Sequence, residues 1–499
     1  MICVLAQRTS IDKIIKIVRK NKGSESICEV AAYELPEMSH IETLVVDWNC
    51  HYDLRSLYKE VAIDDLVFVV GDQYIDSSDS GKKILMDQEK KALEEQKWNI
   101  CKIINHIRTE FSFWREDIVL ENYPNIIQIE STNICNAKCI MCKHLISNNY
   151  KGGFVTIDVL KNMSGIFPYV DIVILHGFGE PFLVPQLKDM LDYYQSYGIK
   201  LITNTNLSVL PNEVVPVLND TFFQINISCD GCTKSTFEGI RKGIKFEDFN
   251  NNMMILKENC PDVRLVMNTV MMRQNLMELS DIVKYAKKMG FEEIVFMPIT
   301  VAYSLDNYAD GLTNYPQITY KVIEDIKLTA NQENIKVTVP DLKINFCEEE
   351  YWKELERFNS IPMFKSDEEI ELIQERAKWR LENSNENKYV EIKASNTTCK
   401  GICDWLVEKT FVDLKGNVYF CCMNNDHSDE GVAIDFKIGN VCEEDFLTIW
   451  NGQQYKKIRE MFYGGDLPDV CVGCQFLINK TMKTIDINVD GNLFLTRKG

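Results

Sequence analysis

From Ile126 onward the chain repeats one pattern: a short run of apolar and β-branched residues, a loop, then an amphipathic helical stretch. The runs are IIQIEST (126–132), DIVILHG (171–177), KLITNTN (200–206), FQINISCD (223–230), RLVMNTVM (264–271) and EIVFMPIT (293–300). VPQLKDMLDYYQSYG and LSDIVKYAKKMG are among the helical stretches between them. A strand that returns through a helix pairs parallel with its predecessor by a right-handed crossover, and six such units curve into a partial or full barrel. The expectation is an α/β fold centred on a partial (β/α)6 TIM-like barrel over residues 119–301. In such a barrel the loops after the strands build the active face, so chemistry is expected just beyond each run.

The flanks read differently. Residues 1–118 give strand candidates ICVLAQ, ESICEVAAYE, ETLVVDWN and DLVFVVGD, with DLRSLYKEV as a helix between the last two. Ser10 can cap the amphipathic IDKIIKIVRKNKG, which ends at Gly23. This is a small N-terminal α/β domain, followed by the charged helical connector DQEKKALEEQKWNICKIINHIRTEF. It carries no GxGxxG and no phosphate loop, so its ligand is unnamed. Residues 302–396 are polar and charge-rich, with the low-complexity patch ENSNENK, and read as a solvated helical insertion and linker. Residues 397–499 form a Cys-rich C-terminal domain.

Charge and cysteine usage narrow the function. Acidic residues exceed basic ones by 74 − 55 = 19, and a formal net charge of −19 repels nucleic acid and anionic lipid. No apolar run approaches the roughly 18 residues of a membrane span, and the start MICVLAQRTS lacks the features of a secretory signal. A cytoplasmic chain with eighteen cysteines does not read as a disulfide framework; metal binding, catalysis and buried thiols explain them better.

The first run is followed directly by NICNAKCIMCKH, which sets Cys135, Cys139 and Cys142 in a C-x3-C-x2-C array on a loop. Soft thiolates suit iron–sulfur clusters or zinc. A closed zinc site wants four ligands, whereas three leave one metal open to a substrate or cofactor. His144 is a conceivable fourth ligand but reads as a surface residue.

This array after the first barrel strand resembles the signature of the radical S-adenosylmethionine (SAM) superfamily, and the resemblance extends over about residues 120–300. It implies a [4Fe–4S] cluster on Cys135, Cys139 and Cys142 whose open iron binds the amino and carboxylate groups of SAM. It further implies reductive cleavage of SAM to methionine and a 5′-deoxyadenosyl radical, fed by a flavodoxin- or ferredoxin-type electron donor. Met141 fills the bulky slot before the third cysteine. Gly177-Phe178-Gly179-Glu180-Pro181 is similar to the family's Gly-Gly-Glu-Pro element, so Gly179 and Glu180 are expected to receive the methionine ammonium. Phe178 replaces a glycine there and has no assigned role. Thr203 and Asn204, in Thr203-Asn204-Thr205-Asn206, resemble the family's Thr-Asn-Gly. Ser228, in Ser228-Cys229-Asp230-Gly231, is expected to contact the ribose or methionine. Arg241 matches an arginine that pairs with the methionine carboxylate, and Asn268 is a candidate ribose contact. Taken one at a time, such residues at strand ends read equally well as turns or caps.

Near the C-terminus the chain resembles the SPASM/twitch auxiliary-cluster module: a cysteine, a hairpin with Gly-x4-Cys, a Gly-Asn turn, an Ile-Trp-Asn helix start and a closing C-x2-C. Cys403, Cys421, Cys471 and Cys474 fit those positions, with Gly416 at the hairpin turn. Four thiolates close a cluster; zinc is the alternative for the same set. No cysteine follows the C-x2-C, so one auxiliary [4Fe–4S] cluster is expected. Whether Cys421 or Cys422 ligates stays open, as does Cys399 in place of Cys403, while Cys442 reads as a small buried residue.

Cys229 alternates away from its neighbours and is expected to pack under a helix. Cys232 is the candidate hydrogen-atom donor of an epimerase, against the blander reading of a thiol in a helix-entry turn. His176 reads equally as pocket lining and as a hydrogen-bonded core histidine. The resemblance implies an oxidoreductase-type enzyme that abstracts a substrate hydrogen atom. The expected substrate is small and polar, a sugar, cyclitol or glycan precursor that is dehydrogenated or epimerised. A peptide-modifying maturase is the second reading, and a non-catalytic iron–sulfur electron-transfer protein the alternative of another class.

Overall fold

The computed structural model describes residues 73–142, 152–299, 307–341, 344–383, 403–422, 437–468 and Cys471, together with shorter pieces on either side. Its N-terminal strands are β1 (Ile2–Ala6), β2 (Ile27–Ala31), β3 (His40–Asp47), β4 (Ala62–Val70) and β5 (Gln73–Asp76). They form one sheet of order β2-β1-β3-β4-β5, parallel except for the β4–β5 pair. Alternation along the strands divides their apolar residues between two faces. Leu44, Val46, Leu66 and Phe68 pack with Leu85, Ile104, Ile107 and Phe111, while Val45, Val67 and Val69 pack with Ile14 and Val18. The small α/β domain therefore has helices on both sides. The stretch DLRSLYKEV lies outside the described residues.

The expected single connector is two helices, α1 (Asp79–Glu94) and α2 (Trp98–Arg115). Ser78 caps the first, and the chain turns between them at Gln96, whose φ is 52°. Helix α2 is also a tether to the barrel. Asn105 donates from Nδ2 to the Tyr123 carbonyl (3.0 Å), and His106 Nε2 meets Asp171 Oδ2 at 2.6 Å.

The central sheet contains β6 (Ile126–Ile129), β8 (Ile172–Ile174), β9 (Lys200–Thr205), β10 (Phe222–Ser228), β12 (Arg264–Met271) and β13 (Glu293–Pro298), all parallel in that order. Two short strands lie outside it: β7 (Lys138–Cys139) and β11 (Arg241–Lys242) pair antiparallel. Helices α3 (Ile157–Asn162), α4 (Leu187–Ser196), α5 (Val215–Thr221), α6 (Lys234–Ile240), α7 (Phe246–Asn259) and α8 (Leu279–Met289) fill the connections. Helix α8 buries Leu279, Ile282, Val283 and Ala286, the one-face spacing of an amphipathic helix. Burying a side chain such as Ile282 is worth roughly 1.5–3 kcal/mol.

Two segments depart from expectation. Residues 302–396 are not wholly a solvated insertion: α9 (Pro316–Glu333) buries Ile318, Val322, Ile323 and Ile326, and β14 (Lys336–Thr338) adds a parallel strand beside β13. The polar composition concealed a helix with one apolar stripe. Beyond it, α10 (Glu348–Ser360) and α11 (Asp367–Asn383) begin with acidic first turns, and α10 buries Glu354 and Phe358 against the start of α9. The cysteine-rich segment is likewise joined to the barrel: β15 (Lys409–Val412) pairs parallel with β6, Lys409 opposite Ile126 and Val412 opposite Ile129. β16 (Asn417–Tyr419) and β17 (Gly439–Asn440) follow antiparallel. The order β14-β13-β12-β10-β9-β8-β6-β15 thus holds eight parallel strands instead of six.

Gly416 turns the β15–β16 hairpin with φ +82°, a conformation that costs a side-chain-bearing residue strain. Asp413 braces the turn, accepting from the Lys415 (2.8 Å) and Asn417 (2.9 Å) N–H groups. Helices α12 (Phe446–Trp450) and α13 (Gln453–Tyr463) then lock this segment to the chain entering β6. Trp450 Nε1 donates to the Asn122 carbonyl (2.9 Å), and Asn451 exchanges two hydrogen bonds with the Leu120 backbone. Arg459, fully buried, lies 4.8 Å from the Trp450 ring and 5.1 Å from the Tyr455 ring, and donates to the Leu406 and Ile118 carbonyls. Burial lowers its pKa to about 10. No helix among the described residues is long and apolar enough to cross a membrane.

Candidate functional site

The two faces of the central sheet differ in chemistry. Ile127, Val173, Leu201, Ile225 and Met267 belong to the large core shared with Leu160, Met190 and Leu191 of the surrounding helices. The alternate residues face inward. Ile126, Ile172 and Ile202 form an apolar floor, and above it Gln128, Glu130, His176, Asn204, Asn226, Ser228 and Asn268 continue the same inward rows toward the strand C-termini.

The cysteine loop leaves β6 at that end. Cys139 sits in β7 opposite Arg241 of β11, and the Cys142 N–H donates to the Cys139 carbonyl at 3.1 Å. Ile140 and Met141 pack against Ile240, Met272 and Phe364, which fixes the loop from outside. The Cys135 sulfur receives the Ala137 N–H (3.5 Å) and Asn206 Nδ2 (3.7 Å), and Cys139 receives Arg241 Nη1 (3.9 Å). Burial pushes the Cys139 thiol up to about 12 while Arg241 pulls it down, and Cys135 and Cys142 act on it as well. Among the described residues no three such side chains converge as the shell of a single metal ion. A four-iron cluster takes its thiolates at separate corners, so three neighbouring cysteines, with N–H donors on the sulfurs of Cys135 and Cys139, fit a cluster, and its positive charge would hold them as thiolates. His144 lies outside the described residues.

The loop after β8 closes over this one. A Cβ on Gly179 would lie 2.4 Å from the Thr132 carbonyl oxygen and 2.6 Å from that of Ile134, so only glycine permits the approach. Gly179 and Glu180 donate their N–H groups to the same two carbonyls. The Glu180 carboxylate is buried and accepts from Thr205 Oγ1 (2.7 Å), Asn206 N–H (2.7 Å) and Phe182 N–H (3.2 Å). Burial raises its pKa to about 7 despite these donors. Phe178, unassigned from sequence, gives its N–H to Glu130 Oε1 at 3.3 Å.

The remaining candidates separate. Ser228 and Asn268 face each other in register on the inner face. Asn204 is inward too, but Thr203 alternates to the helix side, where its hydroxyl donates to the Leu175 carbonyl at 2.8 Å. From this run Glu180 is reached by the Thr205 hydroxyl and by the Asn206 backbone N–H, two residues not singled out from sequence although they stand in the same Thr-Asn-Thr-Asn stretch. Arg241 is buried against Asp230 (2.7 Å), a partner that only the fold reveals. Cys232 donates its thiol to Glu278 Oε1 at 3.0 Å, at the start of α8, and burial and that carboxylate raise its pKa. Cys229 is fully buried, as alternation implies, with its thiol on the Gly231 carbonyl.

In the C-terminal segment Cys421 and Cys471 are buried, and Cys403 and Cys422 half-buried against the same core. Cys399 and Cys474 lie outside the described residues. Cys442 is exposed, contrary to expectation: it follows β17 beside the Gly416 turn, at the edge of the described sheet.

Comparison with known proteins agrees with this layout. Residues 129–286 match the radical SAM superfamily and residues 403–475 match the SPASM iron–sulfur cluster-binding domain. An AdoMet-dependent heme synthase of Methanosarcina barkeri is 28% identical over 178 residues, covering 35% of this chain and 50% of that protein. A tungsten-containing aldehyde ferredoxin oxidoreductase cofactor-modifying protein of Pyrococcus furiosus is 23% identical over 230 residues, covering 44% and 63%. The matched region thus spans between half and two thirds of these relatives. Among solved structures, Streptococcus suis SuiB bound to S-adenosylmethionine superposes with a TM-score of 0.48 at 13% identity, covering 76% of this chain and 80% of that one. The chain is therefore a radical SAM superfamily member with a C-terminal SPASM domain, and the two domains imply a SAM-binding [4Fe–4S] cluster in the first and auxiliary iron–sulfur binding in the second.

Proposed function

We propose that this protein is an oxidoreductase that removes a hydrogen atom from a small polyhydroxylated substrate, a sugar, cyclitol or glycan precursor. When bound, the cluster on Cys135, Cys139 and Cys142 supplies the electron that cleaves SAM, and the resulting 5′-deoxyadenosyl radical takes the hydrogen atom. Glu180, held by Thr205 and Asn206, orients the methionine ammonium; Gly179 lets that loop approach the cysteines; Ser228 and Asn268 line the path to the ribose. The observation that supports the substrate class is the inner face of the sheet. Its upper rows are amides, a hydroxyl, a carboxylate and an imidazole, and such a wall rewards a ligand that can hydrogen-bond to many of them.

Dehydrogenation is favoured over epimerisation because the Cys232 thiol is already committed to Glu278. An oxidised product radical must pass on an electron, and one auxiliary cluster on Cys403, Cys421, Cys471 and Cys474 is the proposed acceptor, with a flavodoxin- or ferredoxin-type cytoplasmic donor reducing the first cluster.

The test is anaerobic reconstitution followed by assay of 5′-deoxyadenosine with deuterated sugars, cyclitols and synthetic peptides. Deuterium is expected in deoxyadenosine from a polyol. Deuterium from a peptide alone would transfer the assignment to peptide modification, and absence of SAM cleavage by the reduced protein would favour plain electron transfer. Cys135→Ala, Cys139→Ala and Cys142→Ala together should abolish cleavage. Cys471→Ala should leave deoxyadenosine formation while oxidised product falls.

A further inference from the structure

A chain of hydrogen bonds crosses the inner face of the barrel from β12 to β8, and it has a fixed direction. Its anchor is Arg264, paired with Glu293, which Lys336 also approaches at 3.6 Å. A guanidinium only donates. Arg264 Nη1 lies 2.8 Å from Gln224 Oε1, so the amide of Gln224 must turn its nitrogen the other way, and Gln224 Nε2 donates to Asn226 Oδ1 at 2.6 Å. Asn226 Nδ2 then donates to Asn204 Oδ1 at 2.7 Å. That leaves Asn204 Nδ2 facing His176 Nε2 at 3.4 Å.

Each amide in the chain is oriented by the one before it, and the first is oriented by a group that cannot be reversed. The amides therefore need no separate assignment of nitrogen and oxygen. An amide N–H pointed at an imidazole nitrogen requires that nitrogen to be bare. Burial holds His176 neutral at physiological pH, with a pKa near 4. A neutral ring carries one proton, and with Nε2 bare the proton is on Nδ1. Nδ1 is buried and has no hydrogen-bond partner among the described residues. Leaving such a donor unmet is unfavourable, and a ligand acceptor would satisfy it.

We infer that His176 is a substrate-positioning residue whose Nδ1–H donates a hydrogen bond to an oxygen of the substrate, a hydroxyl, carbonyl or carboxylate, with the Arg264–Gln224–Asn226–Asn204 chain setting its tautomer. This deepens the proposed function, since it rests on the inner face being the substrate site. Register supports the placement: continuing the β6–β8 and β8–β9 pairings by two residues sets Glu130, His176 and Asn204 side by side at one level. Ser228 and Asn268 stand one step nearer the strand ends, where SAM is proposed to bind.

The tautomer can be read without turnover, so failure of this inference is distinguishable from failure of the enzymatic reading. The reconstituted holoprotein, labelled with 15N-histidine, is examined by NMR, with His176→Gln assigning the signal. The expected result is a protonated Nδ1 and a bare Nε2, and Arg264→Met should convert the ring to a mixture of tautomers. Acetate and acetamide, two small oxygen acceptors, should each move the Nδ1 proton downfield, whereas methylammonium should not. A proton on Nε2 in the wild type overturns the inference. So does an Nδ1 proton that ignores both acceptors, or a tautomer that Arg264→Met leaves untouched. Where a polyol substrate is turned over, His176→Phe should raise KM about tenfold with little change in kcat, and His176→Gln, which restores an N–H, should recover part of it. Loss of kcat alone would count against a positioning role.

Discussion

The Arg241–Asp230 pair makes a sharp prediction because the two residues are 8% and 0% exposed and Arg241 stands opposite Cys139. Arg241→Met removes the cation and leaves the Asp230 carboxylate buried, with the Val270 N–H (2.7 Å) as its remaining donor among the described residues. Breaking a buried pair in this way costs about 3–5 kcal/mol. Asp230→Asn keeps an oxygen for Val270 and deletes the charge. Adding it to Arg241→Met should therefore return about 2 kcal/mol of the loss, within the range for residues in direct contact. A kilocalorie is worth roughly 2–4 °C for a domain of this size, so the single variant should melt about 6–20 °C lower and the double variant clearly above it. The assay is thermal unfolding of anaerobically reconstituted protein by circular dichroism, with SAM affinity measured on the folded variants. A double variant that melts below Arg241→Met would refute the reasoning, since the pair would then not be the source of the loss. If the double variant is folded but binds SAM weakly, the arginine also serves the methionine carboxylate; unchanged affinity confines it to bracing the cysteine strand.

Two further predictions concern single groups. Glu180→Ala removes the acceptor shared by Thr205 and Asn206 and should weaken SAM binding by about 1.5–3 kcal/mol, roughly 10- to 150-fold; calorimetric affinity equal to wild type would displace Glu180 from the site. His106 is subject to burial, which lowers its pKa, but the charge and hydrogen bond of Asp171 outweigh it and the net shift is upward. A raised folded pKa stabilises fully below the unfolded value of about 6.5 and is lost as pH rises through the folded value. The wild-type melting temperature should thus fall relative to that of His106→Gln as pH rises above about 6.5, and parallel curves would show that the pair contributes no pH dependence.

Local signals made much of this legible. Short apolar, β-branched runs placed all six inner strands, and the spacing of Cys135, Cys139 and Cys142 singled out the loop proposed to hold the cluster. What escaped was set by distant partners. Nothing near Arg241 in sequence announces Asp230, eleven positions earlier across a loop and a helix. Thr203 and Thr205 both stand in one run, and only the sheet shows that Thr203 turns to the helices while Thr205 reaches Glu180 past the strand end. Lys409–Val412 is too short and ordinary a strand to declare its neighbour, and Pro316–Glu333 is polar enough in composition to hide the stripe that buries it.

The pairing of β15 with β6 has a consequence for how the protein is made. The two strands are roughly 280 residues apart in sequence, so the ribosome finishes the whole SAM-binding half before its outer strand has a partner. Until then β6 presents a bare edge of N–H and C=O groups, next to the loop proposed to hold the cluster, and unpaired edges invite association with other chains. Long-range pairing of this kind is slow, and domains tend to fold as they emerge. A fragment ending before Lys409 should therefore aggregate or need a chaperone even though it contains every residue proposed to bind SAM. Until β15 arrives, the proposed cluster loop thus lies beside an open flank that the finished molecule no longer has.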